Sequence, residues 1–435
     1  MWGVLICFFL CFFKNFFLNI LLLGGVIVFL LKTFQFNLNL FKEIFLCDKI
    51  SLFFVVLSVY IIFFIILLFS EFSYFKNIFG LKKMFLLLVF LTLFFLVDKI
   101  FLFYIFFELR VFPAFLMILG WGNNPERFNA IFYLFSYTFI GSFPLIFSLI
   151  KNYKILFSLK FYFLLRLQWR KMNSLFSFFI ILAFFIKLPL YFLHSWLPKA
   201  HVEAPTIGSM ILAALLLKMG AYGIFRFSFF NPNDFSFKWN IILGWRIINL
   251  GIIGFIIFRL KDLKVIIAFS SIKHMLLVTL GWFLFSNKNL IFCVLLNLGH
   301  GFIRSNLFFS IGKFYEKSHS RNVFLKKGIN HIKSIFSLIW FTLLIAKSSA
   351  PTSISLYREI GMISHFLKYY SFCWVFVFFF VVLGGGYCLI LFTKMFHGKF
   401  LYFKNFISFE NVFNLISFLH IRVIFLFIFV LKNLI

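Results

Sequence analysis

The chain has 435 residues, of which 63% are hydrophobic and 12% charged, and its mean hydropathy is +1.07. This composition excludes a water-soluble globular domain and indicates a protein whose solvent is the lipid bilayer. The net charge of +30 comes from basic residues spread through predicted loops. We therefore expect phospholipids such as cardiolipin and acidic neighbouring subunits as partners, and no nucleic acid.

Apolar runs of about 20 residues, the length that a helix needs to cross a bilayer, recur along the chain. They lack the strict alternation of membrane β-strands. The first run, from Trp2, has no basic region before it and no small-residue cleavage site after it, so we interpret it as a membrane helix rather than a secretory signal. The sequence therefore predicts an all-α integral membrane protein. The predicted spans lie near residues 2 to 13, 16 to 31, 50 to 69, 82 to 97, 99 to 120, 128 to 150, 174 to 198, 206 to 228, 239 to 258, 262 to 284, 290 to 312, 329 to 366, 369 to 393 and 416 to 434.

Two of these stretches are interrupted midway by proline, at Pro189 and at Pro351. Proline lacks a backbone donor and clashes with the preceding turn, so it frees carbonyl groups that can bind a cation or water. Paired broken helices in the two halves of a chain are typical of transport sites built from inverted repeats. The sequence therefore predicts two broken helices.

Glu108 and Lys218 lie inside otherwise apolar spans, where one charge costs about 2.5 to 3.5 kcal/mol. Lys218 is about ten residues, or roughly 15 Å, from the nearest end of its span, which exceeds the reach of a snorkelling lysine. Its ammonium group must therefore face partners or water inside the protein. Glu108 needs a hydrogen-bond partner or a cation. Because Arg110, two residues away, does not share its helix face, we expect a lysine from another helix, with an ion pair to Arg110 as the alternative.

Four further residues are candidates for proton transfer. Lys187 precedes Pro189, where the helix loses its regular hydrogen bonds; an interfacial lysine at a helix end is the alternative. His274 and His300 fall within later spans, and Glu359 follows the second broken helix. Histidine exchanges protons near neutral pH, so a row of His, Lys and Glu side chains fits a proton relay. Each histidine alone fits an ordinary hydrogen-bonding role equally well.

Other chemistries find little support in the sequence. The six cysteines have no C-x-x-C spacing and mostly lie in apolar runs, so we expect no metal, iron–sulfur or haem site. His194 and His201 flank Pro198 in a predicted helix junction, which argues against a shared metal ion. The sequence has no dinucleotide-binding, Walker A or nucleophile-elbow motif. Redox chemistry and nucleotide hydrolysis are therefore expected in other chains.

A long run carries a specific resemblance. The residues from Lys187 to Gly220, KLPLYFLHSWLPKAHVEAPTIGSMILAALLLKMG, closely resemble the chain 4 family of mitochondrial NADH:ubiquinone oxidoreductase, respiratory complex I. Shorter matches follow the family's order between about residues 100 and 360. They are FFEL at 106–109, WGNNPER at 121–127, AFSSIKHM at 268–275, GHG at 299–301 and SHSR at 318–321.

The resemblance implies about 14 transmembrane helices with inverted five-helix repeats. The implied domains are N-terminal helices at 1–81, two antiporter-like half-repeats at 82–230 and 231–395, and a C-terminal loop and last helix at 396–435. Each candidate residue also receives an implied role. Glu108 and Lys187 form the entry-side pair, Lys218 the central relay, His274 and His300 its continuation, and Glu359 the exit-side acid.

The resemblance further implies a proton-translocating subunit of the mitochondrial inner membrane that holds no cofactor of its own. NADH, FMN, iron–sulfur clusters and ubiquinone are then expected in partner subunits, and the neighbours are other membrane-arm subunits, especially antiporter-like chains. Two alternatives remain. The first is a subunit of a multi-subunit sodium/proton antiporter, which shares the Glu and Lys positions. The second is a non-conducting structural subunit.

Four basic residues depart from the family's pattern: Arg110, Lys273, Arg304 and Lys347. Each adds a cation close in sequence to a candidate proton carrier. They leave the protonation of the relay open, because each is able to replace a lost partner.

Overall fold

The computed structural model describes residues 48–68, 78–122, 125–156, 161, 174–228, 236–283, 287–325, 327–331, 334–349, 353–370, 374–398, 414, 417–418 and 420–422. The predicted spans at 2 to 13 and 16 to 31 lie outside the described residues, and the span at 416 to 434 is described only up to Arg422. The described elements are helices, and they divide between two compact units.

The first unit contains the helices up to Lys187 and those that follow Glu203. In chain order these are α1 (Lys49–Leu68), α2 (Ile78–Leu96), α3 (Ile100–Leu109), α4 (Val111–Trp121), α5 (Arg127–Leu156), α6 (Ser174–Lys187), α8 (Thr206–Ile211), a π-helical turn (Leu212–Leu216) and α9 (Leu217–Ser228). α6 packs against α5 and α9, and α2 packs against α1 and α4.

The second unit contains most of the short helix α7 (Trp196–Glu203) and the helices after Phe235. They are α10 (Ser236–Arg259), α11 (Leu263–Phe283), α12 (Asn287–Ser318), two 3₁₀ turns (Val323–Leu325 and Ile329–His331), α13 (Ser334–Lys347), α14 (Ile354–Tyr369) and α15 (Trp374–Phe396). α12 packs against α11 and α14, while α10 packs against α11 and α15.

Seven segments of the described chain are long and apolar enough to cross a membrane, so the protein is a multi-pass membrane protein. They are Lys49–Leu68, Ile100–Trp121, Arg127–Lys151, Thr206–Phe227, Leu263–Trp282, Asn289–Glu316 and Val377–Phe396. The all-α prediction is confirmed. The total of about 14 helices and the inverted repeats stay predictions.

Both predicted breaks occur. α6 ends at Lys187 and α7 begins at Trp196, while α13 ends at Lys347 and α14 begins at Ile354. Ala350 and Pro351 themselves lie outside the described residues.

The structure differs from the predicted spans in three places. The span at 99 to 120 is two helices that meet at Arg110, because Pro113 has no N–H to continue the hydrogen bonding of the preceding turn. The span at 206 to 228 contains the π-helical turn. α12 continues to Ser318, so Lys313 is helical and forms an ion pair with Glu316 over 3.4 Å.

Phenylalanine fills much of the core of the first unit. The rings of Phe94 and Phe103 lie 4.4 Å apart between centroids, and Phe103 also meets Phe184. Edge and tilted contacts of this kind add about 0.5 to 1.5 kcal/mol per pair beyond burial. The abundant phenylalanine of the sequence therefore packs the helices around the charged residues described next.

Candidate functional site

Glu108 lies in the last turn of α3, directly before the break at Arg110. Its Oε1 is shielded from solvent and has no hydrogen-bond partner among the described residues. Both Lys187 and Arg110 interact with it electrostatically. The carboxylate therefore lies in the field of two cations, one from α6 and one from its own chain segment.

Lys187 is the last residue of α6 and is 5% exposed. Its Nζ lies 4.8 Å from the ring centroid of Phe107, next to Glu108. An ammonium group over an aromatic face is stabilised by the ring quadrupole. The end of α6 thus places a lysine close to Glu108, at the first break between helices.

Arg110 is the second cation and is fully buried. Its Nε donates a hydrogen bond to the carbonyl of Phe107 over 2.8 Å. Its Cζ lies 5.1 Å from the ring of Phe94 and 4.7 Å from the ring of Phe107. Because a guanidinium stays protonated in proteins, Arg110 is a fixed positive charge at this site.

Lys218 is fully buried on α9, two residues after the end of the π-helical turn. Its Nζ donates to the carbonyl of Ala213 over 3.2 Å. Ala213 belongs to the wide turn, in which the backbone does not follow the regular α-helical hydrogen bonding. π-turns occur frequently at functional sites, and here the turn supplies an acceptor to the buried lysine.

Further along the same helix, Tyr222 and Arg226 belong to a row of hydrogen-bonded side chains. Tyr222 donates to the carbonyl of Phe95 over 2.7 Å, and Arg226 donates from Nε to the Tyr222 hydroxyl over 2.8 Å. Arg226 also forms an ion pair with Asp48 at the start of α1. The sequence did not predict this row of hydrogen bonds, because Asp48 is distant in sequence from α9.

In the second unit, His274 and Glu359 come together. Nδ1 of His274 on α11 lies 3.2 Å from Oε1 of Glu359 on α14. Within the described part of the chain, Oε1 of Glu359 has no aligned hydrogen bond, so its contact with His274 is electrostatic in this arrangement. The atoms are nevertheless close enough to exchange a proton after a small rotation of either side chain.

His300 lies beside this pair. Its ring centroid is 5.9 Å from that of His274, and its Nε2 accepts a hydrogen bond from Nε of Arg304 over 3.1 Å. Arg304 also donates to the Ile267 carbonyl and to the Ser270 hydroxyl, each over 2.7 Å. The structure thus brings three predicted residues, His274, His300 and Glu359, into one cluster.

The flanking residue Arg358 shares this region. A Cβ added to Gly299, the residue before His300, would lie 2.3 to 2.7 Å from the Arg358 guanidinium. Arg358 also interacts electrostatically with Glu359. Gly299 therefore makes room for a cation beside the carboxylate, and sequence reasoning missed Arg358 because this approach is long-range.

Two further buried lysines of the second unit are Lys273 and Lys347. Nζ of Lys273 donates to the Phe380 carbonyl over 2.6 Å and lies 5.9 Å from the ring of Tyr387. Nζ of Lys347 lies 4.7 Å from the same ring and has no hydrogen-bond partner among the described residues. Both lysines therefore meet at Tyr387.

His194 and His201 both make contacts with aromatic rings. His194 stacks on Tyr191 at 5.0 Å, and His201, fully buried, stacks on Phe308 at 4.7 Å. Within the described part of the chain, no group of three or more His, Cys, Asp or Glu residues is arranged to hold a metal ion.

Comparison with known proteins places this geometry in context. The model of a family described as NADH:quinone oxidoreductase/Mrp antiporter, TM, matches residues 97–384. The chain is 34% identical over 370 residues to NADH-ubiquinone oxidoreductase chain 4 of Rhipicephalus sanguineus, covering 83% of this chain and 82% of that protein. It is 36% identical to the protein of the same name from Locusta migratoria, covering 69% and 67%.

Two solved structures share the fold. A chain of respiratory complex I from Thermus thermophilus with bound NADH matches with a TM-score of 0.84 and 21% identity, over 95% of this chain and 90% of that chain. A chain of the Mrp complex from Dietzia sp. DQ12-45-1b matches with a TM-score of 0.79 and 16% identity, over 90% and 77%. Because the sequence identities are below 25%, these two matches show that the fold is shared and nothing more.

Proposed function

Because the chain belongs to the family of NADH:quinone oxidoreductase and Mrp antiporter transmembrane subunits, we propose that it carries protons across the membrane through its buried Glu, Lys and His side chains. It is a proton-translocating membrane-arm subunit of respiratory complex I. The observation that carries the proposal is the 3.2 Å approach of His274 to Glu359, with His300 beside them. A histidine and a carboxylate at this distance are able to pass a proton between Nδ1 and Oε1.

The first unit contributes Glu108, Lys187 and Lys218. Glu108 takes up a proton on the entry side, where Lys187 and the fixed charge of Arg110 set the local field. Lys218 is the central carrier: its Nζ gives a proton away and takes another, while the Ala213 carbonyl holds its position. Burying these charges in the membrane costs free energy. That cost is expected for groups whose function is to gain and lose protons, but not for groups that only pack.

Coupling to the redox reaction is electrostatic. NADH oxidation and ubiquinone reduction take place in partner subunits, which hold FMN and the iron–sulfur clusters. A change of charge at a neighbouring subunit alters the field at Lys187 and Glu108, and then the proton affinity of Lys218. Charges in a medium of low dielectric constant influence one another strongly, which makes such coupling possible over several helices.

The expected partners and location follow from this role. The neighbours are other membrane-arm subunits, especially antiporter-like chains, in the mitochondrial inner membrane. Acidic phospholipids such as cardiolipin suit the basic loops. A native gel of mildly solubilised membranes tests the assembly: the chain should migrate with NADH dehydrogenase activity in a very large complex.

The second candidate is a subunit of a sodium/proton antiporter, which the shared fold with the Dietzia Mrp complex favours. It predicts migration in a smaller assembly without NADH dehydrogenase activity. The identity of 34 to 36% to chain 4 proteins makes it the weaker of the two.

Proton transfer is tested by Lys218→Met and Glu359→Gln in complex I reconstituted into vesicles. We expect fewer protons per NADH in both variants, with electron transfer to ubiquinone retained when an uncoupler is present. Glu316→Gln is the matched control, because Glu316 is partly exposed and forms its ion pair with Lys313 on α12. Wild-type proton yield in Lys218→Met would show that the buried lysine is not a carrier.

A further inference from the structure

The two broken helices share a sequence pattern, and the candidate relay uses only the lysine of the first. α6 reads SLFSFFIILAFFIK and α13 reads SIFSLIWFTLLIAK, and both have 14 residues. Serine stands at positions 1 and 4, phenylalanine at position 3 and lysine at position 14 of each. The lysines are Lys187 and Lys347, and a proline follows each of them within four residues. Lys347 is thus the positional counterpart of Lys187.

The surroundings of the two lysines agree as well. Lys187 is 5% exposed and Lys347 is 2% exposed. Nζ of Lys187 lies 4.8 Å from the centroid of Phe107, and Nζ of Lys347 lies 4.7 Å from that of Tyr387. Each lysine also interacts electrostatically with a buried arginine of its own unit, Arg110 or Arg304. Each unit therefore holds a lysine, an aromatic ring and a fixed cation together.

Each break contains one residue with a left-handed backbone, five residues after Lys187 in the first and two residues after Lys347 in the second. Phe192, after Lys187, has a φ of 73°, and Ser349, after Lys347, has a φ of 60°. Left-handed backbone is unfavourable for such residues and is retained mainly at functional positions. Ser355 of α14 donates to the carbonyl of Ala346, so one carbonyl at the end of α13 is satisfied across the break.

The acidic partner is what differs between the units. Lys187 interacts with the carboxylate of Glu108, whereas Lys347 interacts with the thiol of Cys388 and with a second lysine, Lys273. Cys388 is buried, is not in a disulfide, and interacts with the side chain of Tyr387. Lys273 in turn interacts with Glu359. Lys347 is therefore connected to the His274 and Glu359 pair through Lys273.

We propose that Lys347 is a further proton-carrying residue, which takes in the second unit the place of Lys187 in the first, with Tyr387 and Cys388 as its acidic partners. This inference rests on the proposed function. A buried ammonium that has no hydrogen-bond acceptor among the described residues and lies close to Arg304 and Lys273 is costly if it is permanent. That cost falls when the group alternates between ammonium and amine as protons pass.

The transfer step is a simple acid–base exchange. An N–H bond of the Lys347 ammonium breaks, and the proton joins Sγ of a Cys388 thiolate, so that a neutral amine and a neutral thiol result. The reverse step restores both charges. No oxidation state changes. When Tyr387 is the partner, its phenolate oxygen accepts the proton, so that a neutral amine and a neutral hydroxyl result.

The experiment uses reconstituted complex I and measures protons per NADH, with uncoupled electron transfer as the assembly check. Lys347→Met is expected to lower the proton yield to the value of Lys218→Met. Lys347→Arg keeps the charge but cannot release a proton, so we expect the same loss. Lys313→Met is the control, because Lys313 pairs with Glu316 outside the cluster and its replacement should leave the yield unchanged.

The outcomes separate this inference from the proposed function. A normal yield in Lys218→Met would contradict the proposed function itself. A loss in Lys218→Met together with a normal yield in Lys347→Met would overturn the present inference alone. If Lys347→Met does not assemble, the double variant Tyr387→Phe with Cys388→Ala decides, because it leaves the lysine and the ring in place. A lowered yield supports the inference, and a wild-type yield overturns it.

Discussion

Nε of Arg304 donates a hydrogen bond to Nε2 of His300 over 3.1 Å, one helical turn away on α12. A guanidinium only donates, so Nε2 of His300 presents its lone pair and the ring proton is on Nδ1. His274, in contrast, presents Nδ1 to the carboxylate of Glu359. The two histidines of the cluster therefore have different partners: one faces an acid and the other a fixed cation.

This difference predicts unequal effects for two matched substitutions. His274→Gln should lower the number of protons moved per NADH strongly, because it removes the group that exchanges a proton with Glu359. His300→Gln should have a smaller effect, because the glutamine oxygen still accepts the bond from Arg304. Proton uptake by reconstituted vesicles measures both. Equal losses in the two variants would show that His300 carries protons despite Arg304.

A second prediction separates a carrier from a counter-ion at Lys187. Lys187→Arg keeps a positive charge near Glu108, but a guanidinium does not release its proton at physiological pH. If Lys187 transfers protons, Lys187→Arg should pump as poorly as Lys187→Met. The measurement is again protons per NADH, with electron transfer in uncoupled vesicles as the check on assembly. Pumping retained in Lys187→Arg alone would assign Lys187 a purely electrostatic role.

The sequence predicted those parts of the site that depend on local chemistry. A charge within an apolar run identified Glu108 and Lys218, and proline identified both breaks. The bond between His300 and Arg304 was also accessible, because residues four apart share a helix face. The π-helical turn before Lys218 was not predictable, because Leu and Ala fill it without the proline or glycine that usually marks a break.

Contacts between residues that are distant in the sequence were also not predictable from the sequence alone. Nothing near Gly299 in the sequence indicates that the Arg358 guanidinium lies where its Cβ would be. Lys347 was recognised only as an extra basic residue, although α6 and α13 have matching ends. The domain boundaries at 81, 230 and 395 stay predictions.

The packing of Gly299 predicts a steric defect with a specific rescue. Gly299→Ala puts a methyl group within 2.7 Å of the Arg358 guanidinium, so the cation must move from its place beside Glu359. Overpacking of this kind costs about 1 to 3 kcal/mol. We expect less assembled complex after mild heating, measured on native gels.

The double variant Gly299→Ala with Arg358→Ala should restore assembly, because it removes the group that clashes and alanine suits the interior of α14. Gly251→Ala is the control, since an added Cβ meets no atom within 4 Å there and alanine favours the helix. Normal stability of the single variant Gly299→Ala would mean that the Arg358 side chain can adopt another conformation without cost.

The π-helical turn offers the last prediction. A π-turn accommodates one extra residue in an α-helix without rotating the helix that follows it. Deleting Ala214 should therefore restore a regular α-helix without rotating α9. The contacts of α9, such as that of Gly223 with the ring of Phe184, would be kept. The complex should assemble, but the Ala213 carbonyl, which accepts a hydrogen bond from Nζ of Lys218, would instead accept one from a backbone N–H of the regular helix. We expect the proton yield to fall toward that of Lys218→Met.

Deleting Ala221 is the matched control, because it lies in regular helix. There the residues that follow would rotate by about 100° and lose their packing, so assembly itself should fail. An Ala214 deletion that assembles and pumps normally would show that the wide turn is not needed to hold Lys218. An Ala214 deletion that fails to assemble would show instead that the turn sets the packing of α9.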